Sequence, residues 1–365
     1  MSVASKIRKR SALLVEIGRR FPLRGLLRQR DASADLVYWA HHRYPDSWPA
    51  YVGSGDGVLK DTALLSALIE TGRPFRVVSG VGIGDVTNST IVYCIDEFNP
   101  NRVLDYSSAL MATLRQLEAQ GNTLFPSADE AEFWENKVFM HRRFDELGIR
   151  SPETVVVGRD TELDEALAEL ERRSGAAFGF PLLVKEPHSN NSQGLHTVAD
   201  RAELEALRRT FADAGAYEFL VQRILDMRRD LRVTMVGGEI VHHYWRINLS
   251  DEWMPTTTRK GSQVDFVTFP EQWRERIVGA MDALGLRNGA FDVCWDADDL
   301  DTEPYFLEVS PAYTPNPAPS PAFADRPYSD FKAQLRGPDS YTVGFVELVF
   351  DLQRRLVAAW GLGSR

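Results

Sequence analysis

The sequence predicts an α/β lobe joined to an α+β body, and three observations support that fold class. Residues 34–125 alternate short apolar runs with helical patterns, the mark of a small parallel sheet with flanking helices. Residues 231–247 run as strand and return strand about Gly237-Gly238, a two-residue hairpin turn. Between them, residues 180–198 hold an apolar run ending on Lys185, a Ser/Asn-rich turn, and a second β-like run from Leu195 to Val198. A strand that delivers a lysine into a polar loop suits a polyphosphate. The ammonium neutralises some phosphate oxygens while backbone N–H groups of the turn cradle others.

A chain of 365 residues can bury a large core and divide into two or three lobes. Its net charge of −10 argues against general nucleic-acid binding. The charge is uneven: residues 1–30 hold nine Lys/Arg against Glu16, a net of +8, so the remainder carries −18. Cys94 and Cys294 both lie in apolar runs, as free buried thiols in a reducing compartment would. No apolar run approaches the ~20 residues of a spanning helix. Glu16 and Arg19-Arg20 interrupt Leu13-Leu14-Val15, so a signal peptide is not expected and the cytoplasm is the expected compartment.

In chain order, Ile7, Leu14, Ile17 and Phe21 recur at near-helical spacing among the arginines, predicting one or two short basic amphipathic helices over residues 1–33. Such a segment either anchors on an anionic membrane surface or acidic partner, or packs on the chain's own acidic body; its shortness favours the second. Residues 36–40, 75–79, 90–95 and 123–125 are predicted strands of the first lobe, with helices over 58–71 and 104–120. The glycines of residues 80–85 lack the spacing of a nucleotide loop, so a loop at a strand's carboxyl edge is expected there. A single helix is predicted over 127–147, capped at Ser127 and closed by Gly148. Strands 154–157, 182–185 and 195–198 and helices 163–174 and 201–214 complete a small lobe at 126–217. A larger lobe at 218–340 holds strands 219–225, 231–236, 240–247, 290–295 and 305–309 and a helix over 270–287. Residues 312–340 are Pro-rich and aperiodic, and 341–365 open with a final amphipathic helix.

Taken in this order, residues 125–320 resemble an ATP-grasp enzyme. In that family a lysine on a helix precedes Gly-Ile-x-x-Pro-x-Thr; here Asn136-Lys137 precedes Gly148-Ile149, Pro152 and Thr154. Lys185 ends the Phe-Pro-hydrophobic-Val-Lys strand, and Ser189, Ser192, Gln193 and Gly194 stand in the phosphate loop. Gln222, Arg223, Ile224 and Leu225 match the adenine hinge. Asp230 and Arg232 match the Asp-x-Arg-Val strand before a Val-Gly-Gly turn, and Arg246 the downstream arginine. Asp292 and Glu308 match the metal pair. The closest subgroup is the carboxylate–amine ligases, with an N-terminal Rossmann-like lobe at 34–125.

The resemblance implies ATP and two Mg²⁺ ions as cofactors and small-molecule carboxylate and amine substrates. Lys137 and Lys185 would neutralise phosphate oxygens, Arg232 and Arg246 would grip the γ-phosphoryl group, and hard carboxylate oxygens would hold the ions. Two departures stand out. Ser310 replaces the asparagine of the family's Glu-x-Asn motif, with Asn316 as an alternative donor, and Gly194 is the only glycine of the phosphate loop. These keep an ATP-binding regulatory or scaffold protein in play beside the ligase, as does a phosphotransferase with a hydroxyl acceptor. The basic run Arg259-Lys260 suits either an anionic acceptor or a solvated turn, and a homo-oligomer is left open.

Overall fold

A computed structural model describes residues 3–40, 56–95, 104–188, 194–215, 218–249 and 263–363. The basic N-terminal segment forms two helices, α1 (Val3–Arg20) and α2 (Leu23–Gln29). Leu13 and Ile17, one turn apart, are buried against Leu59, Phe345 and Val349, and Arg20 reaches Glu347 at 2.7 Å. The segment therefore packs on the chain's own body. The predicted stripe needs correction, however: Ile17 faces inward, but Ile7 and Leu14 are exposed on the other side of α1.

The first lobe holds β1 (Leu36–Ala40), α3 (Asp56–Glu70), β2 (Arg76–Ser79), β3 (Thr90–Val92), α4 (Leu104–Ala119) and β4 (Thr123–Phe125). Its strands form a parallel sheet in the order β2-β1-β3-β4. The glycine-rich residues Gly80–Asp85 make a 3-10 turn at the end of β2, in keeping with the expected loop.

Residues 127–147 form two helices, not one: α5 (Ala128–Glu135) and α6 (Lys137–Glu146). The break is chemical. Asn136 adopts an extended backbone, and its side chain accepts hydrogen bonds from the Val138 and Phe139 N–H groups, so it ends one helix and caps the next. Ser127 caps α5 in a full capping box with Glu130. The break frees the Lys137 N–H to donate to the Pro187 carbonyl at 3.0 Å, just beyond the Lys185 strand.

Next come β5 (Thr154–Val157), α7 (Leu163–Ser174), β6 (Leu182–Lys185), β7 (Leu195–Val198), α8 (Arg201–Asp213) and β8 (Phe219–Arg223). The strands pair antiparallel in the order β5-β8-β6-β7. Leu170 of α7 and Leu204 of α8 pack on Val157, Leu182, Val184 and Val221, covering one face.

The largest sheet joins β9 (Arg229–Val236), β10 (Glu239–Ile247), β11 (Gln263–Asp265), β12 (Asn288–Cys294) and β13 (Tyr305–Ser310) in the order β11-β10-β9-β12-β13. Gly237 and Gly238 both take positive φ, as the tight turn between β9 and β10 requires. The helix predicted over 270–287 begins as a 3-10 turn and continues as α9 (Arg274–Ala283). The Pro-rich stretch contains one short helix, α10 (Tyr328–Ala333), and α11 (Tyr341–Ala359) follows. Leu352, Leu356 and Trp360 return to pack with Leu36, Tyr38 and Leu64 of the first lobe.

Asn136→Ala tests the helix break. Loss of the cap should cost about 1 kcal/mol, read as a lowered urea midpoint at unchanged slope. An unchanged midpoint would mean that tertiary contacts alone set the break.

Candidate active site

Strand alternation divides the largest sheet into two unlike faces. Leu231, Val233, Trp245, Phe291, Val293 and Val309 turn to one side and pack with Ile277 and Met281 of α9. The other side carries Asp230, Arg232 and Thr234 on β9, Tyr244 and Arg246 on β10, Asp292 on β12, and Glu308 and Ser310 on β13. Register aligns Tyr244 with Arg232, Arg246 with Asp230, Asp292 with Arg232, and Glu308 with Asp292. Four strands thus place a charged row across one surface.

The row is tightly paired. Arg232 holds Asp292 through two hydrogen bonds, one of them at 2.8 Å. Arg246 donates Nε to Asp230 at 2.9 Å, also binds its second oxygen, and reaches Asp292 Oδ2 at 2.9 Å. Burial pushes the Asp292 carboxyl up, but Arg232 and then Arg246 outweigh it and hold the group below the usual carboxylate range. The four charges sum to zero, the condition on which they can be buried together.

Lys185, at the end of β6, enters from the small lobe. Burial pushes its ammonium down to about 8; Glu308 pulls it partly back, Lys137 adds repulsion, and Asp292 adds a weaker attraction. Lys137 and Lys185, both buried, therefore share one electrostatic environment with the two carboxylates of the larger sheet. The loop after Lys185 is closed by the Glu186 N–H donating to Gly194 O at 2.9 Å. Ser189, Ser192 and Gln193, with Asn190 and Asn191, lie outside the described residues, as do Arg259 and Lys260.

Other predicted residues are occupied with structure. Gln222 donates to the Thr154 hydroxyl at 2.6 Å within the small sheet. Arg223 binds Glu153 at 2.5 Å, Asp296 at 2.9 Å and the Tyr305 hydroxyl at 3.1 Å. Its side chain thus ties the two lobes together. Ile224 is half-buried, and Leu225 is buried with Cys294 and Tyr305, so this segment runs along the junction between the lobes. Ser310 is buried and donates its hydroxyl hydrogen to the Ala312 carbonyl, which leaves its oxygen lone pairs as acceptors. Asn316 is held by Tyr244, to which it donates at 2.8 Å, and accepts from Tyr341 at 3.5 Å.

One residue escaped the sequence reading. His141 lies one turn along α6 from Lys137, fully buried, and neither ring nitrogen has a hydrogen-bond partner among the described residues. Burial, then Lys185 and Lys137, push its pKa well below the ordinary histidine value, so it is neutral at pH 7. Its i, i+4 relation to Lys137 was the available signal.

Among the described residues no cluster of three or more His, Cys, Asp or Glu could hold a metal ion by itself. Asp292 and Glu308 are a facing pair of hard oxygen donors. That set fits Mg²⁺, which keeps several waters and shares substrate phosphates, better than a metal needing an all-protein cage.

The sequence matches no protein-family profile. Over 231 residues it is 26% identical to formate-dependent phosphoribosylglycinamide formyltransferase of Stutzerimonas stutzeri (strain A1501), a match taking in 60% of this chain and 54% of that protein. The chain spans about half the length of the curated relative it matches. D-cycloserine synthetase DcsG superposes with a TM-score of 0.56 at 16% identity, covering 90% of this chain and 99% of that one. D-alanine–D-alanine ligase from Bacillus anthracis, in complex with ATP, gives 0.52 at 13% identity, covering 91% and 100%. These likenesses show that the chain has the ATP-grasp fold.

The lysine geometry predicts a pH dependence for nucleotide binding. Lys185 is protonated below about 8, so ATP affinity should be full there and fall as pH rises through that value. Lys185→Arg should abolish the inflection, because a guanidinium stays charged. Calorimetric titration with ATP from pH 7 upward checks this, and an inflection kept in the arginine variant would remove Lys185 from the site.

Proposed function

We propose that the chain is an ATP-dependent carboxylate–amine ligase. The observation that carries this reading is the convergence of Lys137 and Lys185 from the small lobe with Asp292 and Glu308 from the larger sheet. Two buried cations near two carboxylates suit a magnesium-bound polyphosphate, and the proteins similar in fold include a D-alanine–D-alanine ligase and a D-cycloserine synthetase. The lobes at 34–125, 126–217 and 218–340 would act as a substrate platform and the two halves of the nucleotide clamp.

In this reading Lys137 and Lys185 bind phosphate oxygens of ATP. The hinge at Gln222–Leu225 contacts the base through its backbone, since the Arg223 side chain is already committed to Glu153 and Asp296. Asp292 and Glu308, with Ser310 or Asn316 as a further donor, would hold a divalent ion, which would supply charge neutralisation at the phosphates. Arg232 and Arg246 exchange part of their carboxylate contacts for the anionic γ-phosphoryl group and stabilise charge as it is transferred. The substrate carboxylate attacks the γ-phosphorus, the bond to the β-phosphate oxygen breaks, and ADP leaves. The amine then adds to the acyl-phosphate carbon, phosphate departs with the bonding electrons, and the amine proton is lost to solvent or a base. A cytoplasmic setting belongs to this reading, in keeping with only two cysteines in 365 residues.

Paired screening of acids and amines with ADP release as readout tests the assignment. The ligase reading expects release that requires both partners. ADP formed with a hydroxyl acceptor and no amine would identify a phosphotransferase, and nucleotide binding without any release would identify a regulatory protein. Glu308→Gln should lower turnover about a hundredfold while changing ATP affinity far less, because its charge acts chiefly on the transition state. Near-normal turnover in that variant would remove Glu308 from the chemistry.

A further inference from the structure

The N-terminal helices bury one side and leave the other uncovered. Among the described residues eight large hydrophobic side chains are exposed, and five of them belong to α1 and α2: Ile7, Leu14, Val15, Leu23 and Leu27. On α1, Ile7, Leu14 and Val15 fall at i, i+7 and i+8, a single stripe opposite the buried Leu13 and Ile17. On α2, Leu23 and Leu27 fall at i and i+4, and Leu27 is 74% exposed. This clustering is not what the scattered exposed residues of an ordinary surface show.

Among the described side chains of α1 and α2, the exposed charged residues are all basic. Arg8, Arg10, Arg19, Arg24 and Arg28 are exposed beside the apolar positions. Glu16, the one acidic residue of the first 30, is half-buried and paired with Arg19 at 2.6 Å. Beyond residue 30 the chain carries −18, so its body would be repelled by an anionic surface that attracts its N-terminal helices. Charge complementarity thus selects both the partner and the orientation.

We propose that α1 and α2 dock the protein peripherally on an anionic lipid bilayer. The exposed aliphatic side chains enter the boundary between headgroups and acyl chains, and the arginines pair with lipid phosphates. A bilayer fits better than an acidic protein because single protruding side chains suit a fluid interface, whereas a folded partner would need a pocket for each. Docking does not require insertion across the membrane: among the described residues no helix is long and apolar enough to cross one. An amphipathic basic helix instead lies in the interface, where each Lys or Arg near the surface contributes about 1 kcal/mol and the buried apolar area adds to it. The proposal is independent of the ligase reading.

Co-sedimentation of the full chain with vesicles tests it, using phosphatidylcholine alone and an equal mixture with phosphatidylglycerol. The mixed vesicles should bind the protein, added salt should weaken binding, and the neutral vesicles should bind little. Leu14→Asp and Leu27→Asp should each weaken binding about tenfold or more. Both positions are exposed, so the melting temperature should stay at the wild-type value. Leu249→Asp, at an exposed leucine far along the chain, should leave vesicle binding unchanged. Absence of binding to the mixed vesicles would overturn the proposal. So would wild-type binding by both leucine variants, or tighter binding to polyaspartate that neither variant alters; the last result would identify an acidic polypeptide as the partner.

Discussion

Buried charge is tolerated in a protein only when it is paired and hydrogen-bonded. On the largest sheet this constraint is met by alternation of Asp230, Arg246, Asp292 and Arg232 across three adjacent strands, each carboxylate touching at least one guanidinium. The apolar face beneath holds the strands in register, and the register brings the charges opposite one another. In the proposed ligase reading such a row serves fold and chemistry together. Its arginines are already desolvated and aligned, so an incoming polyphosphate meets donors that need little reorganisation. Its carboxylates keep those arginines from repelling each other until the anion arrives.

The second constraint is the joint between the lobes. Arg223 reaches from the small sheet to Asp296, and Arg150 lies 3.9 Å from the centroid of the Tyr305 ring while donating to the Tyr305 hydroxyl at 2.8 Å. The segment 224–228 is drawn against the acidic turn, with the Asp226 N–H donating to Asp296 at 2.9 Å. These contacts fix the height of the small lobe above the charged row. They therefore determine how far Lys185 stands from Glu308. A lysine held there in a dry environment loses its proton more easily than an exposed one.

Much of this was legible from sequence because strands and turns are local. The Gly237-Gly238 hairpin, the lysine-bearing strand and the Asp292–Glu308 strand pair follow from runs of a few residues. The break at Asn136 was not legible, since the apolar spacing of Phe133, Val138 and Phe144 passes through it without a change of period. Only the capping geometry of the asparagine reveals two helices. On α1, Leu13-Leu14-Val15 offers apolar side chains to both sides, and the choice of buried face depends on α11, more than 300 residues away in the chain. The structural duties of Arg223 and the isolation of His141 are likewise set by distant partners. Pattern identifies what an element is; packing across the chain decides what each side chain touches.

The central claim is that Asp292 belongs to a nucleotide and metal site and is not merely a brace for two arginines. Thermal shift on Asp292→Asn tests it most directly, comparing ATP alone with ATP plus Mg²⁺ against each protein's own unliganded melting temperature. Referring each protein to its own baseline separates ligand binding from the stability lost with the buried carboxylate. The account predicts that magnesium adds to the ATP-induced shift in the wild type and adds nothing in the variant. An equal magnesium increment in both proteins would contradict it and leave Asp292 as a structural counter-ion.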